Sequence, residues 1–222
     1  MTATQQLRHT TSPVRHTVTP PSQSSACDSS RGTLPGVDDD ARCGPQPTLT
    51  GDLVRLRPWR DDDAPAVHAA CQDAELQRWT TVPVPYLPEH AAEFVGPVAA
   101  GTWAAGGALF AVESTTDRGL VGSIGLLGVH EGVGSIGYWT VAARRGRGLT
   151  GAALRLLSGW VLDDLGLRRV ELIADPANTG SRRVAGSAGF RAEGVLRSRH
   201  LHRGVPVDVV LHSLLATDPR RR

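Results

Sequence analysis

The chain has 222 residues, a formal net charge of +2 and 40% hydrophobic residues. That suits a single core of roughly 170 residues behind a poor N-terminal stretch, and gives no charge excess that would call for nucleic acid or an anionic membrane as partner. Cys27, Cys43 and Cys71 form neither a CxxC pair nor a Cys/His ligand rhythm, and no run of about 18 apolar residues exists, so a metal-free protein of the reducing cytoplasm is expected, with neither signal peptide nor membrane span.

Residues 1–47 are rich in Thr, Ser, Pro, Gln and Gly and carry no apolar period; the expectation is a disordered N-terminal extension. Its first acid is Asp28, so it superficially resembles a transit peptide, and a start codon placed too far upstream would look the same. The domain is expected over 48–217, with a basic C-terminal tail over 218–222.

Regular structure is expected to begin at Leu53-Val54-Arg55-Leu56-Arg57, an alternating strand that Pro58 ends, with Asp61-Asp62-Asp63 then starting a helix through Cys71. A second helical stretch follows Pro88-Glu89, and Pro97 marks a break or kink in it. Ala108–Ser114, Leu120–Val129 and Val133–Val141 read as strands joined by turns, an antiparallel meander. The period then changes. Leu149, Ala153, Leu154, Leu157, Trp160, Val161 and Leu165 form one apolar helix stripe that Gly166 stops. Val170–Ile173 reads as a strand, Ser181–Ala188 as a short helix ended by Gly189, and Arg191–Leu201 with Val205–Leu214 as a last strand pair around Arg203-Gly204. The fold class is therefore α/β, with a mixed, largely antiparallel sheet flanked by helices.

Arg144-Arg145-Gly146-Arg147-Gly148-Leu149-Thr150-Gly151 lies between the meander and the amphipathic helix. The first N–H groups of a helix have no intrahelical partner and sit at the positive end of its dipole, which suits a diphosphate. Glycines at 146, 148 and 151 let a phosphate approach, and arginines beside them add fork-shaped, charge-assisted hydrogen bonds. A P-loop is excluded because the chain has no lysine. A dinucleotide-binding GxGxxG remains formally readable, with Glu171 20 residues beyond Gly151, although the loop follows a meander rather than opening a βαβ unit. A plain capped helix after an Arg-rich turn is the structural alternative.

Gly137-Tyr138-Trp139-Thr140-Val141 before the loop, Arg145-x-x-Gly148 within it, and Asn178-x-x-Ser181 followed by Ala188-Gly189-Phe190 together resemble the GNAT superfamily of N-acetyltransferases. The likeness is strongest to the branch that acetylates the N-terminal alanine or serine of ribosomal proteins, and it covers about residues 50 to 217. It implies a GNAT-like acyl-coenzyme A fold with a splayed central strand pair. The implied reaction moves acetyl from acetyl-coenzyme A, as co-substrate, to a primary amine by direct attack in a ternary complex. By the same resemblance Arg145, Gly146, Arg147, Gly148, Leu149, Thr150 and Gly151 hold the diphosphate, although Thr150 departs from the Gly or Ala of the pattern. Trp139, Thr140 and Val141 would bond the pantetheine arm as a pseudo-strand, with a backbone N–H near Val141 facing the oxyanion. Asn178 would orient the pantetheine, and Ser181 would offer its hydroxyl to the sulfur or, alternatively, N-cap its helix.

The tyrosine that many members use as thiol-side acid is replaced here by Ala185, and the acid they often carry before the Gly-Tyr-Trp is replaced by Ser135. Glu113 and Glu131 are conceivable bases, and His200 and His202 conceivable substrate contacts, yet each reads equally as solvated strand or turn surface. A non-catalytic acyl-coenzyme A-binding module is thus a second reading. A protein N-terminus, an amino acid, a polyamine or an aminoglycoside all remain open as acceptor for a monomer or homodimer.

Overall fold

The computed structural model describes residues 44–219; the expected extension as far as residue 43, and residues 220–222 of the expected tail, lie outside them. Described chain engages the fold before residue 48. The Trp103 indole N–H donates to the Gly44 carbonyl at 3.2 Å, and Gln46 Nε2 donates to the Leu109 carbonyl at 2.9 Å. Strand β1 (Leu49–Thr50) follows, too short to show any alternation. At the other end Asp218, placed by the sequence in a tail, accepts the Leu215 N–H at 3.0 Å and pairs with Arg191 at 3.3 Å.

Strand β2 (Val54–Pro58) buries Val54 and Leu56 on one face, as its alternation predicts. A 3-10 turn (Asp61–Asp63) leads into α1 (Ala64–Ala70). Asp63 does more than start this helix: its carboxylate receives both terminal nitrogens of Arg57 at 2.7 Å. A six-residue helix that the sequence reading missed, α2 (Ala74–Trp79), is capped by the Asp73 carboxylate on the Leu76 N–H. Its single buried residue, Leu76, gives too little period to detect. The next helix, α3 (Pro88–Glu93), gives way before Pro97, where the sequence places a break or kink. A wide π-turn (Phe94–Val98) accommodates the ring and passes directly into α4 (Ala99–Ala104).

Strands β3 (Ala108–Ser114), β4 (Leu120–His130) and β5 (Val133–Thr140) form the expected meander. Helix α5 (Leu149–Gly159) continues as a π-turn to Asp164, followed by β6 (Arg169–Ala174), α6 (Thr179–Ser187), β7 (Arg191–His202) and β8 (Val205–Leu215). All join one eight-stranded sheet of order β1-β2-β3-β4-β5-β6-β8-β7. On one face, Leu154, Leu157 and Val161 of the α5 stripe pack with Leu56, Phe110, Ile124 and Leu172. On the other, Val67, Leu76, Ala91 and Val95 pack with Trp59, Leu109 and Ala111, and Trp139 joins them. Burying a Leu or Val in these layers stabilises the fold by about 1.5–3 kcal/mol per side chain.

Among the described residues the only parallel neighbours are β5 and β6, and they pair over three positions, Val133–Arg169, Gly134–Val170 and Ser135–Glu171. Beyond Ser135 each continues with its other neighbour alone, β5 with β4 and β6 with β8. This is the expected splay, opening toward the Arg/Gly loop.

Candidate functional site

The splay leaves one edge of β5 without a strand. The Val141 N–H donates to the Val121 carbonyl at 2.9 Å, and antiparallel alternation along the Gly122–Thr140, Ser123–Trp139 and Ile124–Tyr138 register turns Trp139 toward β4 as well. The same alternation turns the backbone groups of Tyr138 and Thr140 into the gap. Val141 is further engaged because its carbonyl accepts the Arg144 N–H at 2.8 Å. Of the three expected pseudo-strand residues, Thr140 alone presents its backbone to the gap and Tyr138 joins it; the oxyanion donor expected near Val141 is not the N–H of Val141 itself, which is already bonded.

After β5 the chain makes a 3-10 turn (Ala142–Arg144) and then the glycine loop. Gly146 and Gly148 both sit at φ +74°, where an L side chain is strained, and open space surrounds the position a Cβ would take. Gly148 is the N-cap of α5, and the first intrahelical bond runs from the Ala152 N–H to its carbonyl. The N–H groups of Leu149, Thr150 and Gly151 therefore project from the helix end without an intrahelical acceptor. Gly151 has a different reason: a Cβ there would lie 2.8 Å from Ser187 Oγ, so this glycine lets α6 approach α5. Thr150, the departure from the family pattern, shares a 2.8 Å hydrogen bond with the Thr140 hydroxyl and ties the end of β5 to the first turn of α5.

The three loop arginines differ. Arg144 Nη1 pairs with Asp117 at 2.6 Å and holds that carboxyl down to about 2. Arg145 reaches back to α2, where it pairs with Asp73 and, at 2.8 Å, with Glu75. Burial works against the Asp73 anion, yet Arg145 and the Leu76 N–H outweigh it and keep the group below its ordinary 3.8. Arg147 is exposed with no ion pair among the described residues, so it is the cation free to meet an anion at the helix end.

Across the gap, the N-cap of α6 is Asn178, whose Oδ1 accepts the Ser181 N–H at 2.9 Å. The cap reading of Ser181 is thereby corrected, since the Ser181 hydroxyl stands 2.8 Å from the Tyr138 hydroxyl, which also lies 3.1 Å from the Ser181 carbonyl. Burial pushes the Tyr138 phenol up, so it stays protonated. Sequence reading missed this contact because Tyr138 was only a letter in Gly-Tyr-Trp; its alternation with Trp139, which faces the opposite layer, was the available signal.

The remaining candidates fall away from the gap. Glu113 is buried among Arg57, Arg55 and Arg118 at 2.9, 3.2 and 3.0 Å, a structural ion cluster. Glu131 stands in the β4–β5 turn, at the end of β5 remote from the loop. Ala185 is fully buried and Ser135 exposed. His200 and His202 lie in the β7–β8 arm, whose tip residue Arg203 donates to the Gln77 and Val82 carbonyls at 2.9 and 3.2 Å and so closes over the end of α2. On the α1–α4 side of the gap Trp139 stacks on Trp59 at 6.3 Å and meets Phe94 at 6.4 Å, an apolar wall. Among the described residues no three His, Cys, Asp or Glu side chains gather as metal ligands, and no helix is long and apolar enough to cross a membrane.

Comparison with known proteins meets this geometry. Residues 54–191 match the family model described as Acetyltransferase (GNAT) domain. The Probable N-acetyltransferase YjcK of Bacillus subtilis is 34% identical over 110 residues, which are 48% of this chain and 59% of that protein's length. The structure of Mycobacterium smegmatis RimJ in complex with CoA-disulfide is 27% identical, with TM-score 0.67, covering 78% of this chain and 86% of that one. The ribosomal-protein-S5-alanine acetyltransferase from Vibrio fischeri is 17% identical with TM-score 0.66, covering 79% of this chain and all of that one, a likeness of fold alone.

Proposed function

The chain belongs to the GNAT acetyltransferase family, and from that premise we propose that it transfers acetyl from acetyl-coenzyme A to a primary amine by direct attack in a ternary complex. The observation that carries this reading is the divergence of β5 from β6 beyond Ser135, beside a helix end whose N–H groups have no intrahelical acceptor. The donor set fits the co-substrate. Leu149, Thr150 and Gly151 N–H groups and Arg147 would hold its diphosphate, with Gly146 and Gly148 leaving room. Thr140 and Tyr138 backbone groups would bond the pantetheine, and the Asn178 amide would orient it. The thioester supplies an activated acyl carbon.

The chain's own residues then have three tasks. A backbone N–H of Tyr138 or Thr140 faces the carbonyl oxygen as charge develops there. The apolar wall of Trp139, Trp59 and Phe94 excludes water from one side. The Ser181 hydroxyl offers a hydrogen bond to the departing sulfur.

Base chemistry narrows the acceptor. No carboxylate stands at Ser135, and Glu171 opposite it on β6 is paired with Arg169 at 2.6 Å, so the amine arrives unprotonated or loses its proton to water or to another strand's carboxylate. At pH 7 an α-amino group is about one-tenth neutral, whereas a lysine-like amine is neutral in fewer than about one molecule in a thousand. That difference favours a protein N-terminus, and the name of the Vibrio fischeri neighbour likewise gives a protein, through an alanine, as acceptor. Reduced cysteine usage and the lack of a spanning helix among the described residues are in keeping with work in the cytoplasm.

The test is a panel of amines assayed for free thiol and for the 42-dalton adduct, roughly the mass of an acetyl group replacing a proton. Peptides with a free N-terminal Ala or Ser are expected to be acetylated, and the same peptides blocked at the N-terminus but carrying lysine are not. Acetylation of only polyamines or aminoglycosides would overturn the acceptor assignment. Ala185 and Ser135, at the usual acid and base positions, favour a second reading as a non-catalytic acyl-coenzyme A-binding module; cofactor binding with no thiol release from any amine would decide for it.

A further inference from the structure

The Tyr138 and Ser181 hydroxyls form a pair that acetyl transfer alone does not require, and their hydrogen count has a consequence. Tyr138 Oη lies 3.1 Å from the Ser181 carbonyl, which can only accept, and 2.8 Å from Ser181 Oγ, which can donate or accept. One phenolic hydrogen cannot serve both. In the first arrangement Tyr138 donates to the carbonyl and Ser181 donates to Tyr138, so the serine hydrogen is used up. In the second Tyr138 donates to Ser181 Oγ, and the serine hydrogen is released to point elsewhere. The first makes two bonds within the protein and the second makes one.

Resting on the acetyl-transfer reading, we propose that Tyr138 is a positioning residue that hands the Ser181 hydrogen to the leaving sulfur. In the reaction the bond from amine nitrogen to acyl carbon forms, the carbon–sulfur bond breaks, and the electron pair leaves on sulfur. The amine attacks in its neutral form, and the proton that finally resides on the thiol is the one its nitrogen gives up through water once the new bond has made it cationic, so Tyr138 and Ser181 donate hydrogen bonds and neither is consumed. Before bond breaking the two-bond arrangement is favoured. As negative charge grows on sulfur, a charge-assisted bond from Ser181 outweighs the bond given up, because hydrogen bonds to ionised groups are about twice as strong as neutral ones. Burial keeps the phenol protonated, so Tyr138 remains a donor throughout. Both hydroxyls sit on well-held backbone: Tyr138 in the β4-paired part of β5, Ser181 one turn inside the capped start of α6.

An interaction that strengthens only as charge develops affects kcat and leaves cofactor binding alone. Tyr138→Phe keeps the ring in the core and deletes only the hydroxyl. It is expected to lower kcat about threefold to tenfold with the KM for acetyl-coenzyme A unchanged within twofold. Ser181→Ala should lower kcat at least as far, and the double variant should fall no further than Ser181→Ala alone, since Tyr138 acts through Ser181. Rates are taken per acetyl-coenzyme A-binding site, counted by titration, so a lower melting temperature does not disguise the result. A Tyr138→Phe protein with parental kcat, or a double variant whose losses multiply, overturns the proposal. Wild-type protein that releases no thiol with any amine would instead bring down the acetyl-transfer reading on which it rests.

Discussion

Arg145 Nη1 lies 2.8 Å from Glu75 Oε2, joining the glycine loop to a helix 70 residues earlier, and the neighbouring nitrogen of the same guanidinium is held by Asp73. The arginine singled out by the family pattern is thus committed to fixing the loop. Asp73→Asn retains an N-cap for α2, because Asn caps as well as Asp, while weakening the ion pair. It should therefore weaken acetyl-coenzyme A binding about twofold to fivefold, as Arg145→Ala should, in the range of a partly exposed ion pair. Isothermal titration decides: tighter binding in Asp73→Asn would mean that the acids compete with phosphate for Arg145.

Arg147 carries the opposite expectation. With no ion pair among the described residues, its removal leaves the loop's anchoring untouched and deletes a charge-assisted phosphate contact of about 1.5–3 kcal/mol. Arg147→Ala should raise the dissociation constant about tenfold or more at an unchanged melting temperature, and the loss should shrink as salt is raised.

Gly148 and Gly151 separate by mechanism. Gly148→Ala meets no atom but is held at φ +74°, so about 1 kcal/mol of strain is expected and no second-site change relieves it. Gly151→Ala places a Cβ against Ser187 Oγ, costing about 1–3 kcal/mol by overpacking. Adding Ser187→Ala should recover much of that loss. Thermal melts of the three variants check both statements, and a Gly151→Ala loss untouched by Ser187→Ala would refute the steric account.

Much of this site was legible because it repeats local chemistry. The change of period after Val141 and the glycines at 146 and 148 are properties of neighbouring residues, and they located the loop and the stripe of α5 correctly. The partners of Arg145, Ser181 and Tyr138 were not legible, since each lies 43 to 72 residues away. Helix α2 escaped for a related reason: it is held by its Asp73 cap and by arginines from elsewhere rather than by a stripe. Pro97 was legible as a break in the regular α-helix, but not as the π-turn that carries the chain on into α4.

Acid should loosen this molecule through its arginine pairs. Arg144 holds Asp117 at about 2, and Arg169, with the Ser213 hydroxyl, holds Glu193 at about 2, against ordinary values of 3.8 and 4.5. Asp63 and Glu113, despite burial, are also lowered by Arg57. A carboxyl whose folded value lies below its unfolded one stabilises fully above the unfolded value, and that stabilisation is lost as pH falls through the folded one. The melting temperature should be level above about pH 5 and fall steadily toward pH 2. Arg144→Gln should flatten part of that decline, and a decline beginning above pH 6 would show that other groups control it.

The domain boundary can be tested by truncation. A chain beginning at Gly44 keeps the carbonyl that accepts from Trp103 and the Gln46 amide on Leu109, whereas one beginning at Pro47's successor, residue 48, loses both. The shorter chain should melt lower by several degrees, at about 1 kcal/mol per lost hydrogen bond, and the longer one should match its parent in acetyl-coenzyme A affinity. Equal melting temperatures would place the boundary at 48 after all.

Helix α2 has only six residues, yet it is gripped at its start by Arg145 of the glycine loop and near its end by Arg203 of the β7–β8 arm. It is a strut between the glycine loop and the β7–β8 arm. The glycine loop is fastened to the start of this helix and the arm to its end, so a ligand that displaced either would be felt at the other. Free energies of two ligands coupled through one element are reciprocal: the factor by which a bound acceptor changes affinity for acetyl-coenzyme A equals the factor by which acetyl-coenzyme A changes affinity for the acceptor. A helix of six residues thus ties the glycine loop to the β7–β8 arm while belonging to neither.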